Sequence, residues 1–453
     1  MTFLTPLRDE LGRIVSLALP IIGGNMAMMA IGITDTIMVG WHSIEELAAL
    51  TLATTLFMNI MIFGIGFSTA LVPLVASAHA TQDARQVRQT TRMALWVSLI
   101  YAFAILPVFL FADKVFIALG QDQQIAALAQ DYLFIAGPAI IPVLWANVLR
   151  SYLSGMEFVK FATLITILTA AGNVVTNYLL IFGNYGFPEM GVRGAALSSV
   201  LLNVIQAIAM SFYAIRRFPD HDLFARFYRP NWDAFFKVFR LGLPISASML
   251  AEVGVFSAAT VMMGWIGVIP LAAHGIALQI ASVTFMAHLG ISQAATIRVG
   301  NAFGRGAKND VLDRAIAAAG LSIMWSLLTI ILFLLYAEPL ISLFLSSDEP
   351  ARLDILAVGV VLLAVAAVFQ LVDGGQVVAI GLLRGLHDTT IPMVIAIISY
   401  WPIGLGASYV FGFVVGLGAV GVWIGLVVGL ASAAIALIIR FVLLFKRFPV
   451  AAT

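Results

Sequence analysis

The chain has 453 residues, of which 62% are hydrophobic and only 10% are charged, and its formal net charge is +1. Soluble proteins average about half apolar and a quarter charged residues, so this composition indicates a polytopic integral membrane protein. The absence of cysteine excludes disulfides, thiolate metal sites and cysteine nucleophiles. The near-zero net charge gives no indication of a nucleic-acid partner.

Long apolar segments recur along the whole sequence, each able to cross a bilayer core of roughly 30 Å. In lipid only helices and closed barrels satisfy their backbone groups, and these segments lack the alternation of barrel strands. The sequence therefore predicts an all-α polytopic membrane protein with twelve transmembrane helices. The helices are expected near 14–37, 47–72, 92–112, 131–153, 160–182, 192–215, 238–263, 270–298, 312–336, 355–383, 390–414 and 417–444.

Basic residues are unevenly distributed among the connecting loops. Of the 24 lysines and arginines, only Lys114, Arg193 and Arg352 belong to loops that lead from an odd to an even helix. The positive-inside rule then places both termini and the remaining loops in the cytoplasm. This arrangement requires an even number of helices, as predicted.

The two halves of the chain resemble each other at a constant offset of 224 residues. The ungapped matches join 17–20 to 241–244, 37–41 to 261–265, Gly66 to Gly290 and Ser68 to Ser292, and a weaker match pairs Gly191 and Gly194 with Gly418 and Gly421. Because proline, glycine and tryptophan recur together, a chance alignment of apolar sequence is a poor explanation. Pro20 and Pro244, at equivalent positions, are expected to cap helix starts, where a missing N–H is tolerated.

This repeat predicts two six-helix lobes related by a parallel pseudo-two-fold axis. The N-lobe is expected over 1–215 and the C-lobe over 238–453, with a cytoplasmic linker over 216–237. Each half has an even number of helices, so both copies keep the same orientation in the membrane. Parallel repeats of this kind are typical of secondary transporters.

Three carboxylates, Asp35, Glu252 and Asp373, lie well inside predicted spans. A charged side chain near the bilayer centre costs roughly 2.5–3.5 kcal/mol, so such a residue normally lines a bundle interior or a wet cavity. For Asp35 the alternatives are a cation or proton site and a buried acid satisfied by the neighbouring hydroxyls of Thr34 and Thr36. The repeat does not generate these acids, since Ala259 is the counterpart of Asp35 and Met28 that of Glu252.

Polar amides form a second group of candidates. Asn173 and Asn177 are four residues apart and share one face of the fifth helix, and Gln279 lies in the eighth. Their roles could be ligand binding or hydrogen bonding between helices. The sequence shows no HExxH pair, P-loop or Gly-x-Ser-x-Gly motif, which opposes an enzyme.

With these motifs in place, the chain resembles the multidrug and toxic compound extrusion (MATE) family, in its bacterial NorM-like branch. The segments that carry the resemblance are 35–40, 173–178, 272–274, 296–300 and 369–385. The resemblance implies two six-helix lobes in the bacterial inner membrane and the export of lipophilic, often cationic compounds, driven by inward Na+ or H+. It implies no other cofactor.

The resemblance also suggests which residues form the sites. The N-lobe cation site maps onto Asp35, Asn173 and Asn177, and the C-lobe acids map onto Glu252 and Asp373, so that Na+ could bind at any of the three carboxylates. The substrate cavity would include Asp35, Gln279, Phe369 and Asp373. Two departures concern the C-lobe: Gly275 follows His274 where glutamine is frequent, and Phe369 stands where some relatives have an aromatic hydroxyl.

The sequence thus predicts a monomeric, cation-coupled multidrug efflux antiporter that works by alternating access, with small lipophilic or cationic molecules and the bilayer as its partners. One alternative is a lipid-linked oligosaccharide flippase of the same architecture, whose diphosphate substrate should require basic residues in the cavity. A membrane-embedded enzyme or a channel is a further alternative. The missing catalytic cluster opposes the enzyme, and the two-lobe repeat opposes a simple pore.

Overall fold

Long helices form the whole architecture in the computed structural model, which describes residues 4–346 and 350–448. Every regular element in these ranges is helical. Among them are twelve helices that are long and apolar enough to cross a membrane, so the predicted fold class is confirmed. The two chain termini, which were predicted to be cytoplasmic, lie outside the described residues.

Twelve spanning helices follow one another along the described chain. They are α1 (Leu4–His42), α2 (Ile44–Ala80), α3 (Ala84–Leu110), α4 (Gln123–Gly155), α5 (Val159–Phe182), α6 (Gly191–Arg217), α7 (Trp232–Ile266), α8 (Val268–Gly304), α9 (Lys308–Leu335), α10 (Arg352–Gly385), α11 (Thr390–Val414) and α12 (Gly418–Lys446). A short helix follows the third spanning helix of each half, Ala112–Ala118 after α3 and Ala337–Ser342 after α9. The repeat therefore extends to the connections.

Two spans that the sequence predicts as continuous helices are locally irregular. A 3-10 turn at Gly137–Ala139 interrupts α4, because Pro138 cannot donate a backbone hydrogen bond there. In α11 two π-helical stretches, Ser399–Leu405 and Val410–Val414, flank a single α-helical turn. π-Helical insertions are rare and occur frequently at functional sites.

The chain divides into two compact units, one formed by Met1–Ile22 with Ala247–Thr453 and the other by Gly23–Ser246. The divisions lie inside α1 and α7, immediately after Pro20 and Pro244. Both prolines are interior residues of long helices, so the prediction that they cap helix starts is wrong. An interior proline removes a backbone hydrogen bond and commonly bends a helix, and the division between the compact units follows two residues after each proline.

Glycine contacts reproduce the sequence repeat. A Cβ on Gly66 of α2 would collide with Ser246 of α7, and a Cβ on Gly290 of α8 would collide with Ile22 of α1. Since Ile22 and Ser246 are themselves separated by the repeat offset, both pairs are the same packing contact, made once in each compact unit.

The weaker match between the last helices of the two halves is also structural. Gly191 and Gly418 each begin a helix, α6 and α12, with positive φ values of 53° and 57°. This left-handed conformation strains residues with a Cβ, which explains the glycine at both positions. Gly194 and Gly421, one turn later, bring their helices against the backbone at Leu180 and Phe411.

Candidate functional site

The carboxylate of Asp35 lies in the Gly23–Ser246 unit and is held by amides from α5. Asn173 Nδ2 donates to Asp35 Oδ1 over 3.0 Å, and Asn177 Nδ2 donates to the same oxygen over 2.6 Å. Ser199 Oγ, on α6, lies 3.5 Å from Asp35 Oδ2. The hydroxyl of Thr36 donates instead to the carbonyl of its own helix, so α5 and α6, and not a neighbouring threonine, provide the partners observed for Asp35.

This N-unit site, defined by Asp35, Asn173, Asn177 and Ser199, is withdrawn from solvent. Asp35 is 7% exposed, and Asn173 and Asn177 are fully buried. Among the described residues Asn177 Oδ1 has no hydrogen-bond partner, although it is buried. Neutral groups therefore make all the hydrogen bonds observed to Asp35, and a spare amide oxygen lies beside it. Such a set of oxygens is suited to a hard cation, which prefers carboxylate and carbonyl ligands.

The other two predicted acids meet in the second compact unit. Glu252 of α7 and Asp373 of α10 line one cavity of about 270 Å³. Most of its remaining surface is apolar or aromatic, including Phe256, Phe285 and Phe369. A pocket with an apolar wall and a few convergent polar groups is typical of a small-molecule site. We call this the C-unit cavity.

Oxygen acceptors surround Asp373 on α10. Asp373 Oδ1, Gln370 Oε1 and Gln376 Oε1 are buried without a hydrogen-bond partner in the part of the chain that the structure describes. The amide of Gln376 donates to Tyr400 Oη over 2.5 Å, which orients its oxygen. Arg384, near the end of α10, is close enough to Glu252 to attract it electrostatically. Asp373 thus lines the cavity, whereas Gln370 and Gln376, about one turn to either side of it on α10, do not.

The remaining predicted cavity residues differ in position. Phe369 is 2% exposed and packs edge-on against Phe256 and Trp423, with ring centroids 6.0 and 5.6 Å apart. Gln279 is half-buried on α8 but does not line the C-unit cavity, although its neighbour Leu278 does. Asp35, also predicted for the substrate cavity, lies in the other compact unit.

The two buried histidines of α8, His274 and His288, form hydrogen bonds with neighbouring helices. Trp423 Nε1 donates to His274 Nδ1 over 3.1 Å, so the other ring nitrogen of His274 carries the proton that faces Thr260 Oγ1. His288 Nδ1 lies 2.8 Å from Ser322 Oγ. Within the described ranges no three histidine, cysteine or acidic side chains cluster closely enough to hold a metal ion.

Sequence reasoning missed several members of these sites. Ser199 and Tyr400 are ordinary polar residues in apolar segments, and no spacing links them to the acids that they approach. The amide pair was detectable because Asn173 and Asn177 share a helix face. A tyrosine or serine contributed by a distant helix gives no such signal in a single sequence.

Comparison with known proteins agrees with this architecture. The model of the MatE family matches residues 20–179 and 244–410. A probable multidrug resistance protein NorM of Rhizobium meliloti is 45% identical over 438 residues, covering 96% of this chain and 94% of the relative. The protein with the same description from Agrobacterium fabrum is 44% identical, with 95% and 93% covered.

Solved structures show the same fold. A crystal structure of MATE in the straight conformation superposes with a TM-score of 0.88 at 22% identity, covering 97% of both chains. An outward-facing conformation of a multidrug resistance MATE family transporter of the MOP superfamily gives 0.87 at 23% identity, covering 97% of this chain and 96% of the other. The family match and the relatives together show that the chain belongs to the MatE family and is a multi-pass membrane transporter, not an enzyme.

Proposed function

We propose that this transporter is a cation-coupled multidrug efflux antiporter, which exports lipophilic, often cationic compounds in exchange for inward Na+ or H+. The relatives described as probable multidrug resistance proteins support the substrate class. The proposal further places a monomer in the bacterial inner membrane with both termini in the cytoplasm, in agreement with the distribution of basic residues.

One observation carries the coupling proposal: a buried carboxylate whose observed hydrogen-bond partners are all neutral. Asp35 receives amide donors from Asn173 and Asn177 but forms no ion pair with any described residue. An isolated buried negative charge is costly unless it is paired, so the site favours a cation or a proton. Asn177 Oδ1 provides an additional ligand oxygen.

The C-unit cavity is the proposed site where the drug and the coupling ion compete. Its aromatic wall can pack against a lipophilic compound, and Glu252 and Asp373 can attract a positive charge. A proton or Na+ at these acids would remove that attraction and release the drug. Coupling requires ion and drug to differ in affinity between the inward-open and outward-open states, because equal affinities shift no equilibrium.

The flippase alternative receives no support from the same cavity. A lipid diphosphate requires basic contacts, whereas the residues that line the C-unit cavity include two acids and no lysine or arginine. The geometry therefore favours a cationic substrate over an anionic one.

The test is ethidium efflux from proteoliposomes with Na+ and pH gradients imposed separately. The wild-type protein should move ethidium uphill under one of the two gradients. Asp35→Asn and Asp373→Asn should each abolish gradient-driven efflux, because each removes one of the proposed coupling charges. Asp354→Asn, an exposed acid on the same helix as Asp373, is the matched control and should retain the wild-type rate.

Unmodified gradient-driven efflux in both Asp35→Asn and Asp373→Asn would show that the coupling proposal is wrong. Uphill movement by the wild-type protein would exclude a channel. Efflux that ran only downhill under every gradient would instead favour one.

A further inference from the structure

A basic cavity lies where the segment between α6 and α7 folds against α3. Its volume is about 800 Å³, and its wall includes Arg85, Arg88, Arg92, Arg226 and Arg229 but one carboxylate, Asp222. All of these residues belong to the Gly23–Ser246 unit. We call this cavity the arginine pocket. It is separate from both acidic sites.

The wall of the arginine pocket is built by specific contacts. Arg92 Nη1 donates over 2.9 Å to the carbonyls of both Ala225 and Arg226. These bonds help hold Arg226 in a left-handed conformation with φ of 53°, which is strained for a residue with a Cβ. Hydrogen bonds therefore attach the backbone of the connecting segment to α3.

Aromatic stacking strengthens the same attachment. Phe227 stacks on Trp96 of α3 with centroids 5.2 Å apart, and Trp96 Nε1 donates to the Phe227 carbonyl over 2.9 Å. Phe224 stacks on Trp145 of α4 with centroids 5.9 Å apart. Tryptophan side chains are enriched at the interface between membrane and water, so Trp96 and Trp145 favour a position of the arginine pocket at the depth of lipid headgroups.

The positive charge of the pocket is incompletely balanced. Arg88 approaches Asp222 at 3.9 Å, while Arg85, Arg226 and Arg229 expose their side chains. Arg92 is 7% exposed, and its Nε has no hydrogen-bond partner among the described residues. The exposed guanidinium groups of Arg85, Arg226 and Arg229, and not the buried Nε of Arg92, are therefore the ones that a ligand in the pocket can reach.

We propose that the arginine pocket binds a phosphate ester, supplied by the headgroup of an anionic phospholipid. Guanidinium groups bind phosphate oxygens through paired, charge-assisted hydrogen bonds. Basic clusters next to spanning helices also attract anionic lipid. A pocket of this volume is far larger than a phosphate ion, so it has room for the phosphate and its glycerol. Bound lipid would stabilise the attachment of the segment that connects the two sequence repeats.

Native mass spectrometry of the full chain, released from nanodiscs with equal phosphatidylglycerol and phosphatidylcholine, tests the proposal. The wild-type protein should retain phosphatidylglycerol preferentially. The variant R226Q/R229Q should lose that preference by about tenfold or more, because hydrogen bonds to charged groups of this kind are strong. The backbone carbonyl of Arg226 that anchors the segment remains in this variant.

The matched control is R216Q/R240Q, which removes two exposed arginines from the neighbouring ends of α6 and α7 outside the pocket. It should keep the wild-type lipid preference. An equal loss of the preference for phosphatidylglycerol in both variants would show that binding depends on general surface charge and would overturn the proposal. The proposal would also be overturned if the wild-type protein showed no preference. If R226Q/R229Q does not fold, the single variant Arg85→Gln provides the same comparison.

A second arm distinguishes lipid from soluble phosphate. Thermal stability is measured in nanodiscs of phosphatidylcholine alone, in the same nanodiscs with millimolar inorganic phosphate, and in nanodiscs that also contain phosphatidylglycerol. Inorganic phosphate should raise the thermal stability much less than phosphatidylglycerol does. Equal stabilisation by inorganic phosphate, lost in R226Q/R229Q, would overturn the assignment to lipid.

Discussion

Glu10, near the start of α1, is the centre of a buried ion cluster whose disruption should destabilise the protein. Arg298 of α8 donates to both of its carboxylate oxygens, over 3.1 and 2.5 Å, and Arg314 Nε of α9 lies 3.6 Å away. The arginine side chains are only 4% and 3% exposed. The substitution Glu10→Gln keeps the shape of the side chain but leaves two buried cations without this shared counter-charge.

The expected magnitude follows from the geometry. Removing one partner of a buried ion pair costs about 3–5 kcal/mol, because the remaining charge stays desolvated. Arg314 keeps a second acid, Asp310, at 3.6 Å, and Glu10 is itself 14% exposed. Both facts reduce the penalty, so we expect a loss of about 3 kcal/mol in the free energy of unfolding.

The measurement is equilibrium unfolding of the full chain in mixed micelles by titration with a denaturing detergent. Asp9→Asn, the exposed neighbour of Glu10, is the control and should change the free energy by less than about 0.5 kcal/mol. A double-mutant cycle with Arg298→Gln should give a coupling energy above about 1 kcal/mol. If Glu10→Gln were as stable as Asp9→Asn, the ion cluster would contribute nothing to stability and this prediction would be wrong.

Two further predictions concern packing and pH. Gly66→Ala should destabilise the protein more than Gly290→Ala, by about 1–3 kcal/mol in the same unfolding assay. The new methyl group at position 66 meets the backbone of Ser246, whereas the one at position 290 meets chiefly the flexible side chain of Ile22. Equal losses of stability would contradict this prediction. The ring of His221 lies 2.6 Å from Tyr152 Oη. Burial, together with electrostatic repulsion from His79, lowers the pKa of His221 below its ordinary 6.5. When the segment between α6 and α7 detaches from the helices, His221 therefore binds more protons near pH ~6 than it does in the folded protein. Hydrogen-exchange protection around His221 should fall as the pH drops below about 6.5. The same pH dependence in His221→Gln would contradict this prediction.

Length and hydropathy were sufficient to predict the spanning helices, since a bilayer imposes a minimum apolar length on each of them. They were insufficient for the helix starts, because α1 and α7 extend well before their apolar parts with polar and aromatic residues. This is why the sequence predicted Pro20 and Pro244 at helix starts, although both lie inside helices. The division of compact units within two helices depends on contacts far apart in sequence, and no local pattern reports those.

The candidate sites were predictable only where charge was unusual for its surroundings. Asp35, Glu252 and Asp373 were conspicuous because acids are rare in spans. The donor from Ser199 became visible only when α6 was placed beside α1. In the same way, the sequence showed a polar segment between α6 and α7, but its attachment through Arg92 requires knowing where that segment folds.

The repeat preserves packing while it changes charge, and this difference bears on how such a transporter could be coupled. Gly66 and Gly290 make equivalent contacts in the two compact units, yet the acids have no equivalents at the same offset. One unit holds Asp35 among neutral amides, and the other places Glu252 and Asp373 in the wall of an aromatic cavity. Two identical acidic sites would bind the ion and a cationic drug with the same preference at both places. Sites that differ in size and lining can instead favour the small ion at one and the larger drug at the other, and coupling then requires each ligand to differ in affinity between the inward-open and outward-open states.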